Sequence, residues 1–260
     1  MRMGNPSLRR WVSKSQRGEI GAEIEPATYK GVYGKAGLLG AITVISAIAV
    51  ELIILWAVQS GRIAEALVTV GIATAVAGIP LIIMALVIAF VPSTAKVLGI
   101  IYSIFQGALL GCLSLFVDIL TVPGISLAAL LGTGIVFAVS VAVNRLLEVK
   151  ISSRFMRGLM IAFFSILLVQ LVMWALSLTG MFSYTAYLWV QIVASSLCII
   201  WATVMLTWDL QNIDYLVQSG ADKKYEWNVA FSLVTTLVYL YVEILELLLR
   251  LVALFGNSKK

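Results

Sequence analysis

Residues Asn228–Phe255 read NVAFSLVTTLVYLYVEILELLLRLVALF, and Glu243, Glu246 and Arg250 are the only charged residues in the run. About 20 apolar residues suffice for a helix to cross a bilayer, so this stretch is long enough to span one. A charged side chain at mid-membrane costs on the order of 3 kcal/mol on insertion scales. Three such residues in one span must therefore face protein or water rather than lipid. At about 100° per residue, Tyr239, Glu243, Glu246 and Arg250 fall within a stripe of roughly 60°. Val238, Leu245, Leu248 and Val252 make the opposite side apolar. The run predicts a transmembrane helix with one polar seam, and the seam is the first candidate functional site.

The rest of the chain has the composition of such an environment. Its 260 residues are 61% hydrophobic and 12% charged, with a mean hydropathy of +1.03, well above a soluble domain. Apolar runs of about 20 residues recur, whereas a β-barrel would show short alternating segments. The fold class is an all-α polytopic membrane protein. Seven spans are predicted: Ala36–Gln59, Leu67–Val91, Val97–Val117, Gly124–Asn144, Gly158–Leu178, Leu188–Asp209 and Val229–Phe255. Turn chemistry at Ser60-Gly61, Pro92-Ser93, Pro123-Gly124 and Thr179-Gly180 separates several of them. The organisation is a basic N-terminal arm over 1–35, a transmembrane domain over 36–257 and a tail over 258–260. The arm lacks the short apolar core of a cleavable signal, so the first span is expected to serve as an uncleaved one.

Basic residues set the expected orientation. With the N-terminus inside, inner segments hold fourteen Lys and Arg residues: seven before the first span, Lys96, Arg145, Lys150, Arg154, Arg157, Lys223 and Lys224. Outer segments hold three, Arg62, Lys259 and Lys260. The expectation is a cell (inner or plasma) membrane protein with its N-terminus cytoplasmic and its C-terminus outside. Arg9, Arg10, Lys14 and Arg17 of the arm can meet anionic lipid headgroups, or act simply as topology determinants. Membrane lipid is the expected partner; nothing in the sequence points to nucleic acid.

Two absences narrow the chemistry. The chain has no histidine, which removes Ser-His and Cys-His nucleophile pairs and His-ligated zinc. Cys112 and Cys198 each sit mid-span without CxxC spacing, and no phosphate-cradling glycine loop is present. Asp118 and Asp209 lack the Gly-x-Gly-Asp element of an aspartyl intramembrane protease. The sequence therefore predicts a protein that is not an enzyme and carries no cofactor.

Asp209, at the end of the sixth span, offers the seam a partner. Met205, Ala202, Cys198, Ser195 and Gln191 share its helical face, a stripe of small or weakly polar side chains that lets another helix approach closely. The segment after Asp209 stays helical in pattern until Gly220, which places Asp209 about 10 residues, or roughly 15 Å, from the turn. A seventh span starting near Val229 puts Glu243 roughly 21 Å from its own start, close enough for tilt to bring the two acids level. A start near Lys223 would widen the mismatch to roughly 15 Å and separate them.

Several motifs, in order, make the chain resemble the Bax inhibitor-1 family, also called the transmembrane Bax-inhibitor-motif family, and within it a prokaryotic branch. They are Met3-Gly4-Asn5-Pro6, Ala27-Thr28-Tyr29-Lys30-Gly31-Val32, Gly107-Ala108-Leu109-Leu110-Gly111, Asp209-Leu210-Gln211, Gly220-Ala221, Tyr225-Glu226-Trp227 and Leu240-Tyr241-Val242-Glu243-Ile244-Leu245-Glu246. The resemblance implies seven helices with the last one central and the other six around it. It also implies a pH-sensitive calcium leak gated by a hydrogen-bonded pair of aspartates in the last two helices. Asp209 matches the first of that pair and Glu243 the second, with Glu in place of Asp. Glu246 stands where the family has an uncharged polar residue. The family's basic latch in the second helix has no counterpart between Leu67 and Val91.

Physical chemistry gives this resemblance a mechanism. Two carboxylates held close in low dielectric share a proton and titrate as a unit. The shared proton ties two helices together, and its loss leaves repulsion and an anionic site suited to a hard cation such as calcium, bound in passing by Asp209 and Glu243. Protonation is thus expected to favour closure. Arg250, four residues beyond Glu246, can neutralise one carboxylate, and a plain intrahelical ion pair explains that spacing equally well. Tyr239 and Gln106 are candidate path-lining residues, although Gln106 and Gln170 can also serve as hydrogen bonds between helices. Asp118 reads as an interface residue, and Gly107-x-x-x-Gly111 as a weak packing signal. A proton-coupled transporter or a non-conducting regulator of membrane proteolysis or stress responses are the alternative functions.

Overall fold

A computed structural model describes residues 25–61, 78–147, 150–178 and 183–256 of the chain. The basic residues before Glu25, the Met3–Pro6 motif, the first part of the second predicted span, Thr179-Gly180 and the C-terminal tail lie outside the described residues. Seven α-helices are described: α1 Tyr29–Gln59, α2 Gly78–Phe90, α3 Ala95–Leu120, α4 Ile125–Leu147, α5 Ser153–Ser177, α6 Tyr184–Gln218 and α7 Tyr225–Gly256. Each corresponds to one predicted span. By length and composition, α1, α3, α4, α5 and α6 are apolar enough to cross a membrane. The protein is an all-α, multi-pass membrane protein.

Local chemistry sets the helix ends. Thr28 caps α1, its Oγ1 accepting from Gly31 N at 3.0 Å, and Ser152 caps α5 by accepting from Phe155 N at 3.2 Å. Asp118, near the end of α3, accepts from both the backbone N–H and the hydroxyl of Ser126, at 3.0 and 2.6 Å. It therefore satisfies the first turn of α4, a more specific role than that of an interface residue. Helix α6 ends in a Schellman motif: Gly220 has φ +60°, Ala221 N donates to Leu216 O at 3.2 Å, and Gly220 N donates to Val217 O at 3.1 Å. That is the helix stop expected at Gly220.

The chain divides into two compact units. Among described residues, the first comprises 25–116 and 212–234, and the second 117–211 and 235–256. In the first unit α1 and α3 pack with almost no gap. A Cβ on Gly107 would overlap the Thr43 carbonyl, and one on Gly111 would overlap that of Ala47. Ser46 Oγ donates to Ile104 O at 2.7 Å across the same contact. The sequence signal at Gly107 and Gly111 is a genuine crossing. Nearby, Tyr102 meets Phe231 edge-on at 4.9 Å, and Asn228 Nδ2 donates to Ile88 O at 2.7 Å.

Burial separates the helices by environment. From Tyr225 to Leu254, α7 has no exposed residue. In α5 only Met156 is buried, while Phe155, Ile161, Phe164 and Leu168 are exposed, as lipid-facing side chains are. Among the described helices, the one that carries the seam's charges has the fewest exposed residues.

Candidate functional site

The polar seam lies in the second unit, where α6 and α7 run antiparallel. Asp209 is 1% exposed, and its Oδ2 accepts a 2.6 Å hydrogen bond from Thr236 Oγ1. Thr236 precedes Glu243 by seven residues on α7, about 10 Å of helical rise. The two carboxylates thus occupy different levels of the seam, and a threonine hydroxyl ties α6 to α7 at Asp209. The reason is the early start of α7. Beginning at Tyr225, it gains a turn over the expected start at Val229, and Glu243 is carried past the level of Asp209.

Glu243 is 8% exposed. Around it are Tyr239, Glu246 and Arg250 of its own helix and the Ser195 hydroxyl of α6. The Tyr239 hydroxyl faces both Glu243 and the Cys198 thiol. Neither that hydroxyl nor Glu243 Oε2 has a partner in hydrogen-bond geometry among the described residues. Aromatic rings wall the same level: Phe163 of α5 stacks on Trp201 of α6 at 3.8 Å, and Tyr239 meets Trp201 edge-on at 5.5 Å. Trp201 Nε1 is a further buried donor without a partner among the described residues. Unsatisfied polar atoms of this kind are uncommon in protein interiors.

Two turns further along, Arg250 binds in three directions. It donates to Glu246 Oε2 at 2.5 Å, to Gln191 O at 3.2 Å and to Ser195 Oγ. The Glu246–Arg250 pair expected from spacing is present, and it also reaches across to α6. Glu246 is the more open partner, its side chain 42% exposed against 18% for Arg250. Gln106 belongs to the first unit; its Oε1 is buried with no partner among the described residues. No group of three or more His, Cys, Asp or Glu residues is placed to hold a metal ion among the described residues.

The first unit holds a second acidic cluster that the sequence pointed to only as Glu226-Trp227. Glu226 is fully buried. It accepts from Thr28 N at 2.7 Å and pairs with the Lys35 ammonium, which lies 5.3 Å from the Trp227 ring. Beside it Pro26 bridges Asp222, Ala27 N donates to Ala221 O at 2.7 Å, and Lys223 N donates to Glu25 O at 2.9 Å. Lys223 also pairs with Glu25 at 2.7 Å, and this contact holds the Glu25 carboxyl below its ordinary value and the Lys223 ammonium above its own. Burial acts to raise Asp222, but hydrogen bonds and charge from Lys224 outweigh it and hold that carboxyl low. These contacts clasp the start of α1 to the start of α7.

Thr236, Trp201 and Phe163 were not singled out from sequence. Thr236 had a usable signal, since it lies seven residues before Glu243 and so on the same helical stripe. Trp201 and Phe163 had none, because their role depends on rings from three helices meeting.

A multi-pass helical membrane protein with buried acids between its last two helices is the class these observations define. A family model described as Bax inhibitor 1 like matches residues 5–253. The chain belongs to that family. No curated protein and no solved structure matches it.

Proposed function

We propose that the protein is a pH-sensitive cation leak, with calcium as the permeant ion and the charge states of Asp209 and Glu243 setting passage along the seam. It works without enzymatic chemistry or a resident cofactor, its partners being membrane lipid, protons and the ion. It lies in the cell membrane, with the N-terminus cytoplasmic and the C-terminus outside.

The observation that carries this reading is Glu243. It is a carboxylate more than nine-tenths buried, on a helix that the sequence predicts to span the membrane, with the Tyr239 and Ser195 hydroxyls beside it and one oxygen, Oε2, that meets no donor in hydrogen-bond geometry among the described residues. Buried ionisable groups in a membrane are costly and mark ion or proton paths. A proton satisfies such an oxygen by neutralising it; a cation or water satisfies it by coordination. Protonated, the seam loses its attraction for cations and α6 and α7 can close on one another. Deprotonated, it presents acids at two levels, Asp209 beside Thr236 and Glu243 beside Tyr239, as successive stations rather than one shared-proton pair.

The test is calcium flux into proteoliposomes loaded with an indicator dye, measured across pH. Wild type should conduct less as pH falls. Glu243→Gln should lower flux about tenfold and flatten its pH profile, and Asp209→Asn should shift the profile while leaving part of the flux. Unchanged flux and pH dependence in both variants would eliminate the reading.

A further inference from the structure

Arg250 occupies a position built for a cation. Its guanidinium lies among the Glu246 carboxylate, the Gln191 carbonyl oxygen and the Ser195 hydroxyl. The same Ser195 hydroxyl faces Glu243, whose carboxyl also feels the charge of Arg250. Gln191 and Ser195 are buried, at 4% and 0% exposure. These are oxygen ligands drawn from two helices, and oxygen is what hard divalent cations take. Glu243 Oε2, on a residue more than nine-tenths buried, has no partner in hydrogen-bond geometry among the described residues. The site therefore has coordinating capacity that the guanidinium leaves unused.

We infer that Arg250 is a tethered cation filling a latent divalent-cation site formed by Glu243, Glu246, Ser195 Oγ and the Gln191 carbonyl. The inference rests on reading the seam as a cation path, and it explains how that path avoids trapping its ion. With Arg250 in place, Glu246 is neutralised and three of the four ligand groups are engaged, so a passing divalent cation meets the single charge of Glu243. Without it, two carboxylates and two neutral oxygens are free to hold the ion. Divalent affinity in oxygen sites rises with the number of charged ligands, so the arginine sets selectivity and residence time.

Binding of manganese(II) alone to the detergent-solubilised full chain, followed by electron paramagnetic resonance, tests this without reference to flux. Arg250→Gln should bind one manganese ion at least tenfold more tightly than wild type. Arg250→Met, which keeps the bulk of the stem, makes the same comparison if the glutamine variant does not fold. Adding Glu243→Gln or Glu246→Gln to either should abolish the gain, and Arg250→Lys should stay near wild type because an ammonium still fills the site. Equal manganese affinity in wild type, Arg250→Gln and Arg250→Met would overturn the inference, as would a gain that survives both glutamate substitutions. Loss of calcium flux control in proteoliposomes with the manganese pattern intact would overturn the leak and leave the site standing.

Discussion

A side chain at position 31 would run into the carboxylate of Glu226, and that carboxylate has nowhere to go. It is enclosed, paired with Lys35 and bonded to the Thr28 backbone. Gly31→Ala should force it off those partners and cost on the order of 3 kcal/mol, the scale of breaking a buried ion pair. Thermal unfolding in detergent checks this, with Gly34→Ala as the control, since a Cβ there meets nothing within 4 Å. The same scale explains what was legible at the seam. Glu243, Glu246 and Arg250 announce themselves because charge in an apolar run is conspicuous, and their stripe follows from helical geometry alone. The partner of Asp209 was not legible. It depends on where α7 begins, and a shift of one turn exchanges Glu243 for a residue nearer the helix start.

That shift belongs to the element scale. The sequence predicts a seventh span from Val229 and leaves open a helix start as early as Lys223, at which Asp209 and Glu243 separate. The structure begins α7 at Tyr225 because residues 25–27 pair with 221–223 and bury Glu226, so a charged residue can sit in the first turn of an enclosed helix. Acid at a helix N-terminus is also favoured by the backbone dipole. The Gly107 and Gly111 pair was legible as a small-residue spacing, but its partners on α1, Thr43 and Ala47, were not, since spacing on one helix says nothing of which neighbour fills the groove. Gly107→Val should push α3 off α1 and cost about 2 kcal/mol, the usual range for overpacking, while Gly134→Val, where a Cβ meets nothing within 4 Å, should cost far less. Resistance to chemical denaturation of the two variants decides the comparison.

For the molecule as a whole, composition alone identified the class, because no soluble domain is this apolar, and ordered motifs identified the family. What composition could not supply was the clasp between distant segments. Its outer pair responds to pH in a defined direction. The Glu25 carboxyl is held low, so its contribution is complete above the unfolded value near 4.3 and is lost as pH falls through the lower folded value. The Lys223 ammonium is held high, so its share is complete below about 10.4 and is lost as pH rises through the raised value. Hydrogen exchange should therefore show the Ala27 and Lys223 amides losing protection below about pH 4, while amides in the middle of α7 keep theirs.

The clasp also fixes an order of events during biosynthesis. Thr28 and Glu226 are 198 positions apart in the chain, and translation adds roughly 5–20 residues per second. The first described helix must therefore wait many seconds in the bilayer before the segment that completes its N-terminus has been made. During that interval Lys35 has no Glu226 to pair with, and the cleft beside Gly31 stands open. A nascent chain arrested before Tyr225 should accordingly remain open to protease near residue 28, and become resistant only once α7 has been inserted.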